Sequence, residues 1–373
     1  MGSSQNFRYL DKMIHSGVEE IVLDFDIVLG DLDEIEYSEG IELDVDDLVI
    51  DGNGHSIDAC NKTRIFHCTG ENITIQNITL KNGFTGDNGG AICIEDGELR
   101  IIDSTLIGNS AGEDGGAIHN DEGELTIKKS TLAQNSTEDH GGAINNWGKL
   151  NIEESQLKDN KANHGGAIFN DDGELSISES HITGNTSNRG GALYNNDGGD
   201  LSIANSVLAE NRAEVGGAIV NENCDLDIAD SIFNDNSAGE DGGAIYAGGE
   251  LTIARSEFKD NIANRDGGVV FNHRCDLRIV ESTFKSNAAM RNGGAINNYD
   301  GELSIVESML LENTAENGGA IYNYKSVLSI DESTLAENAA KSCGGAIWLN
   351  KLKDYESNDS SFKGNNPDDV YED

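Results

Sequence analysis

Glu98, Glu124, Glu174, Asp200, Asp225, Glu250, Asp276 and Glu302 recur at steps of 25 or 26 residues, with one double step across Lys149. Stacked strands would set neighbours ~4.8 Å apart. Like charges at that separation repel by about 0.9 kcal/mol even in bulk water. Such a row either splays into solvent or gathers counter-ions. Calcium takes several oxygen ligands and is the ion that would suit it. Weak Ca2+ binding is therefore one expectation, and a hydrated, splayed row is the other. The Gly-Gly-x-Gly-x-Asp nonapeptide of calcium-binding β-rolls is absent, and nothing in the chain calls for another cofactor.

A second column follows each Gly-Gly-Ala-Ile stretch: Cys93, His119, Asn145, Phe169, Tyr194, Val220, Tyr246, Phe271, Asn297, Tyr322 and Trp348. Six of these eleven are aromatic, in a chain only 6% aromatic. If the Ile faces a core, strand alternation turns this column outward. Exposed aromatic faces stack on sugar rings or dock a protein partner. Phe169, Tyr194, Tyr246, Phe271, Tyr322 and Trp348 are thus the candidate ligand-binding residues. The alternatives are a ladder that only stiffens the sheet, or a reversed face.

Catalysis has weaker support. Arg255, Arg265, Arg274, Arg278 and Arg291, with His273 nearby, form the one basic-rich stretch. A lyase or hydrolase acting on acidic polysaccharide would want such cations beside clustered carboxylates. These residues occupy repeat positions on different sides of a coil, and the acidic field around them repels a polyanion. His55 lies in a Gly-rich turn and reads as structural or exposed. No Walker loop, nucleophile elbow or zinc spacing is present. The column Arg100, Thr126, Asn151, Ser176, Ser202, Asp227, Thr252 and Arg278 is too mixed for a flat Thr-x-Thr ice-binding face.

What would position these columns is a repeat. A Gly-Gly pair followed by a small residue and then Ile, Leu or Val returns eleven times, from Gly89 to Gly344, at steps of 24 to 26 residues. A period this regular marks a solenoid. Within one unit, Ile118, then Leu125 with Ile127, then Leu132 place apolar groups on three short strands. The spacing of two between Leu125 and Ile127 is that of a strand and excludes helical repeats. The columns Leu99 to Leu328 and Ile101 to Ile330 would fill a long core, each side chain contributing roughly 1.5–3 kcal/mol. The fold class expected is all-β: a right-handed parallel β-helix, a three-sided solenoid with coils of about 25 residues. About thirteen coils at ~4.8 Å each would make a rod near 60 Å long.

An Asn column (Asn109, Asn135, Asn160 and onward to Asn365) and a Ser column five residues ahead of it (Ser104 to Ser360) read as structural ladders. That places the sequon residues Asn135 and Asn185 inside the stack. Residues 3–16 read as a helix, capped by Ser3 or Ser4, with Phe7, Leu10 and Ile14 on one face. The organisation expected is an N-terminal helical cap over 1–17, the β-helix over 18–366, and an acidic tail over 367–373 in which Pro367 stops propagation.

With 68 acidic and 25 basic residues the formal net charge is -43. That field disfavours nucleic acid. No apolar run reaches the roughly 18 residues of a membrane span, and no secretory signal is visible at the N-terminus. Cys224 and Cys275 share a repeat position two coils apart, about 9.6 Å from the strand spacing, which is too far for a disulfide.

The pairing of Gly-Gly-Ala-Ile with Phe-x-x-Asn, as in Phe233–Asn236, Phe258–Asn261, Phe284–Asn287 and Phe362–Asn365, resembles the polymorphic outer-membrane protein repeat. Ile50–Asn82 is similar to the first coils of adhesin-like β-helix proteins of bacteria and archaea. The resemblance implies an extracellular or cell-surface protein that binds a glycan or protein partner without catalysis. A pectate-lyase-like enzyme and a purely structural spacer are the rival readings.

Overall fold

The structure is a computed structural model that describes residues 5–30, 33–351 and 353–373. The chain divides into two compact units, Met1–His181 and Ile182–Asp373. Each is a parallel β-solenoid with three main sheets, and one short helix stands at the N-terminus.

In the first unit, Glu98–Ile102, Glu124–Lys128, Lys149–Glu153 and Glu174–Ser178 pair in parallel with no slip in register. Leu99 lies over Leu125, Leu150 and Leu175, and Ile101 over Ile127, Ile152 and Ile177. The second unit repeats this from Leu201 to Leu328 and from Ile203 to Ile330. Alternation in these strands is strict, with the Leu and Ile columns inward and mostly polar residues outward. The Phe-x-x-Asn strands add large rings to the core. Phe233, Phe258 and Phe284 are fully buried and stack with centroids 4.8 and 4.7 Å apart.

Both polar columns are ladders. The Ser104 hydroxyl accepts from the Ile78 amide of the preceding coil at 3.3 Å. It donates to the Ile102 carbonyl at 2.7 Å, while the Ser104 amide donates to the Ser130 hydroxyl of the next coil at 3.1 Å. Asn109 donates from its backbone and its side chain to Asn135 Oδ1, each at 3.0 Å. Asn135 and Asn185 are fully buried, as their place in the column requires.

Just ahead of each Ser lies an exposed corner residue with left-handed backbone, among them Asp103, Lys129, Glu154, Asp230, Arg255 and Glu307, with φ between 47° and 50°. Three-sidedness is supplemented by two further short sheets, one through Ser110–Ala111 in the first unit and another through Ser237–Ala238, Ile262–Ala263 and Ala288–Ala289 in the second.

The N-terminal helix α1 is Phe7–Ile14 and buries Phe7, Leu10 and Ile14, the face read from the sequence. It packs against Ile27–Val28 and Ile41–Leu43. Ser3 and Ser4 lie outside the described residues. The cap is Asn6, whose side chain accepts from the Tyr9 amide at 3.1 Å. Within the segment 367–373, Val370–Glu372 forms a strand beside Ile347–Leu349. Pairing therefore continues past Pro367, whose missing amide does not interrupt the ladder.

Candidate functional site

The aromatic column stands four places after the first glycine of each pair. Its register is continuous within each unit. In the second unit Tyr194 lies beside Val220, then Tyr246, Phe271, Asn297, Tyr322 and Trp348. The core is on the other face, as alternation requires, but the column is not an open platform. Phe169, Tyr194 and Trp348 are only 7%, 7% and 8% exposed, and Tyr246, Phe271 and Tyr322 are half-buried.

Two effects cover the rings. They stack on one another, Tyr246 on Phe271 at 5.4 Å and Tyr322 on Trp348 at 4.2 Å. Two residues just ahead of Gly-Gly pairs also fold over them: His140 sits 4.4 Å from Phe169, and the Arg189 guanidinium lies over the Tyr194 ring. Burial pushes the phenols up, Tyr322 to about 12. Tyr194 rises through burial and through donating to Glu222 Oε2 at 2.5 Å.

Two further columns run beside it. The next residue is an Asn ladder: Asn120 donates to Asn146 and Asn146 to Asn170, each at 2.7 Å, and Asn272, Asn298 and Asn323 repeat this in the second unit. The residue after that makes an outer, half-buried aromatic row of His273, Tyr299 and Tyr324, with centroids 5.8 and 5.1 Å apart. Lys325 and Lys351 stand 5.2 and 5.4 Å from the Tyr324 ring centre. Lys351 donates to the Tyr324 hydroxyl at 3.2 Å, which lowers that phenol's pKa. Sequence reasoning stopped at the inner column. Reading the sixth residue after each first glycine would have found the outer row, where His273, Tyr299 and Tyr324 follow one another in successive coils.

The outer row has one gap. In the order Glu222, Gly248, His273, Tyr299 and Tyr324, position 248 carries no side chain. A groove of about 440 Å³ opens there, lined by Glu222, Asn223, Tyr246, Gly248, His273 and Arg274. It exposes the flank of Tyr246 between a carboxylate on one side and an imidazole with a guanidinium on the other. Burial lowers the pKa of His273, helped by Arg274, so the imidazole is neutral near pH 7. Glu222 is paired with Arg189 and accepts from Tyr194. Such a groove sets hydrogen-bond donors and acceptors beside an aromatic flank. A glycosidase uses two carboxyl groups across the scissile bond, and Glu222 is the one carboxylate lining this groove.

The other basic residues do not converge on it. Arg255 grips Asp230 of the preceding coil at 2.8 and 2.7 Å, and Arg265 binds Asp241 and Glu240. His55 sits 3.5 Å from Asp26.

The acidic column is exposed for most of its length, with Glu98 half-buried. Glu98 stacks beside Glu124, Glu124 beside Lys149, and Asp276 beside Glu302. Part of the repulsion is met locally. Arg100 pairs with Glu98, and Lys149 reaches Glu124 at 2.9 Å. Among the described residues the metal-capable side chains that converge most closely lie elsewhere, at Asp139, His140 and His164.

No curated protein matches the chain. A family model described as the Chlamydia polymorphic membrane protein repeat matches residues 103–121 and 230–248. Each match runs from a corner residue through the Ser and Asn ladders and across the Gly-Gly-Ala-Ile strand, so it spans most of one coil. One coil in each of these parallel β-solenoid units is thus similar to the polymorphic membrane protein repeat.

Proposed function

We propose that the protein is a surface-displayed recognition solenoid that binds a glycan in the groove at Gly248 and performs no chemistry on it. The gap in the outer aromatic row carries this reading. It opens the flank of Tyr246 to a ligand, between groups able to hold sugar hydroxyls. The surface location rests on the polymorphic membrane protein repeat. No helix among the described residues is long and apolar enough to cross a membrane. A phosphate backbone is disfavoured as ligand by the net charge of -43.

The gap also supplies the test. A Cβ at Gly248 would have its nearest neighbour at 3.5 Å, an ordinary contact, so a side chain fits without moving the backbone. Gly248→Tyr is expected to fill the groove, leave the melting temperature near wild type, and weaken binding to oligosaccharides identified on a glycan array by about tenfold or more, as loss of a central buried contact does. Unchanged binding rejects the groove. Release of shortened or unsaturated sugars would favour the polysaccharide-active reading, and an array without hits the structural spacer.

The acidic column is proposed as a weak calcium site in the same molecule. Millimolar calcium should raise the melting temperature above that in sodium chloride of equal ionic strength, because paired carboxylates bind a divalent ion better than they attract screened monovalent ones. Superimposable melts would remove calcium from the account.

A further inference from the structure

The residue just ahead of each Gly-Gly pair reads Asn88, Asp114, His140, His164, Arg189, Val215, Asp241 and onward. Histidine occupies it in two successive coils and nowhere else. The shortest step of the repeat, 24 residues, separates them. His140 and His164 are partners in a parallel bridge, and their rings stack with centroids 5.1 Å apart and 15° between planes. Asp139 completes the group. One ligand atom from each of Asp139, His140 and His164 lies within 4.8 Å of the others.

The backbone fixes this arrangement. The Asp139 carbonyl accepts from the amides of Asn163 at 2.9 Å and His164 at 3.1 Å, and the Gly141 amide donates to the His164 carbonyl at 2.9 Å. Asp114, the same repeat position one coil earlier, fixes the imidazole. Its Oδ1 accepts from His140 Nδ1 at 2.9 Å and from the His140 amide at 3.2 Å. That leaves His140 Nε2 facing Asp139, whose Oδ1 is 3.3 Å away. A carboxylate behind a histidine is how metal-binding imidazoles are commonly oriented and made better donors. Phe169, 4.4 Å from His140, forms an apolar wall on one side.

We infer that Asp139, His140 and His164 form a binding site for a zinc ion. Two imidazoles and one carboxylate are a ligand set for zinc with a fourth position left to water. Imidazole nitrogen discriminates against calcium and magnesium, which take oxygen. Around a tetrahedral zinc the ligand atoms lie about 3.3 Å apart, from bond lengths near 2.0 to 2.1 Å. His140 Nε2 and Asp139 Oδ1 already stand at that spacing, and the His164 ligand atom, within 4.8 Å of both, closes on them when the ion binds. The site ties two successive coils of the first unit together through side chains, and it is separate from the groove at Gly248 in the second unit.

The test uses the full chain, stripped with a chelator and titrated with zinc chloride by calorimetry in millimolar magnesium, so that surface carboxylates are already occupied. One zinc per chain is expected, with a higher melting temperature in zinc. His140→Asn and His164→Asn should each weaken binding by about tenfold or more. Asparagine holds this position at Asn88 and Asn292, so both variants should keep the wild-type circular dichroism and zinc-free melting temperature. Cobalt(II) should give the visible absorption of a tetrahedral site in the wild type and lose it in both variants. Zinc uptake of unchanged number and affinity in the two variants would assign it to scattered carboxylates and overturn the site, as would no uptake at all.

Discussion

Replacing Asn261 with Ala is expected to destabilise the second unit by about 3 kcal/mol, because it removes four buried hydrogen bonds at about 0.5–1.5 kcal/mol each. Asn261 is fully buried. Its Nδ2 donates to the Phe233 carbonyl at 2.9 Å and to Asn287 Oδ1 at 3.0 Å. Its Oδ1 accepts from the amide of Asn236 at 3.1 Å and from Asn236 Nδ2 at 3.0 Å. Truncation orphans the Asn236 amide, takes one acceptor from Asn236 Nδ2 and one donor from the Phe233 carbonyl. It spares the bond from the Asn261 amide to Asn287, so the next coil keeps its acceptor filled. Asn234→Ala, a half-buried substitution at the end of the strand Ile232–Asn234, should stay within about 0.5 kcal/mol. Urea melts followed by circular dichroism would compare the two. Equal midpoints would mean that water replaces the ladder at no cost, and the ladder would lose its structural role.

The second expected result sets glycine against glycine. Gly243→Ala should cost about 3 kcal/mol, at the upper end of what overpacking does in a core. Its Cβ would fall inside van der Waals contact with the Gly268 carbonyl oxygen and 2.7 Å from the Ile262 carbonyl carbon. Both are backbone atoms of the next coil and cannot swing aside, so the coils must part. Gly86→Ala should do the opposite and stabilise by about 0.5 kcal/mol, through loss of freedom in the unfolded chain. There the added Cβ meets nothing within 4 Å, and the backbone is not left-handed. Thermal melts of the pair would show shifts of opposite sign. A stable Gly243→Ala protein would mean that close approach of the coils is not what the second glycine is for.

These two expectations come from columns that can be read without coordinates. A strict period places Leu99 over Leu125 and Asn109 over Asn135, since stacked coils leave no freedom in register. The facing of Phe169 and Tyr194 is equally legible, because alternation decides it. Their covering is not. It depends on how the turn ahead of each Gly-Gly pair bends, and that turn brings His140 and Arg189 over rings that periodicity alone leaves bare.

The groove was hidden for a related reason. Gly248 looks like one more glycine among 45. Only its alignment with His273, Tyr299 and Tyr324 turns it into a missing tooth. The zinc ligands required a pairing across coils, His140 with His164, together with Asp139 supplied by its neighbour in sequence. No motif with fixed short spacing could announce them.

The left-handed corners carry a different consequence, about what change the protein can absorb. At these positions the backbone is constrained while the side chain lies in water. Asp103, Lys129, Glu154, Asp230, Arg255 and Glu307 share a backbone angle and an exposed place, yet differ in charge. Acid and base have already been exchanged there without loss of the coil. Surface charge in this protein is thus inheritable separately from fold. A lineage could move from an acidic surface to a neutral or basic one corner by corner, as its surroundings or partners shift, while every ladder beneath stays as it is.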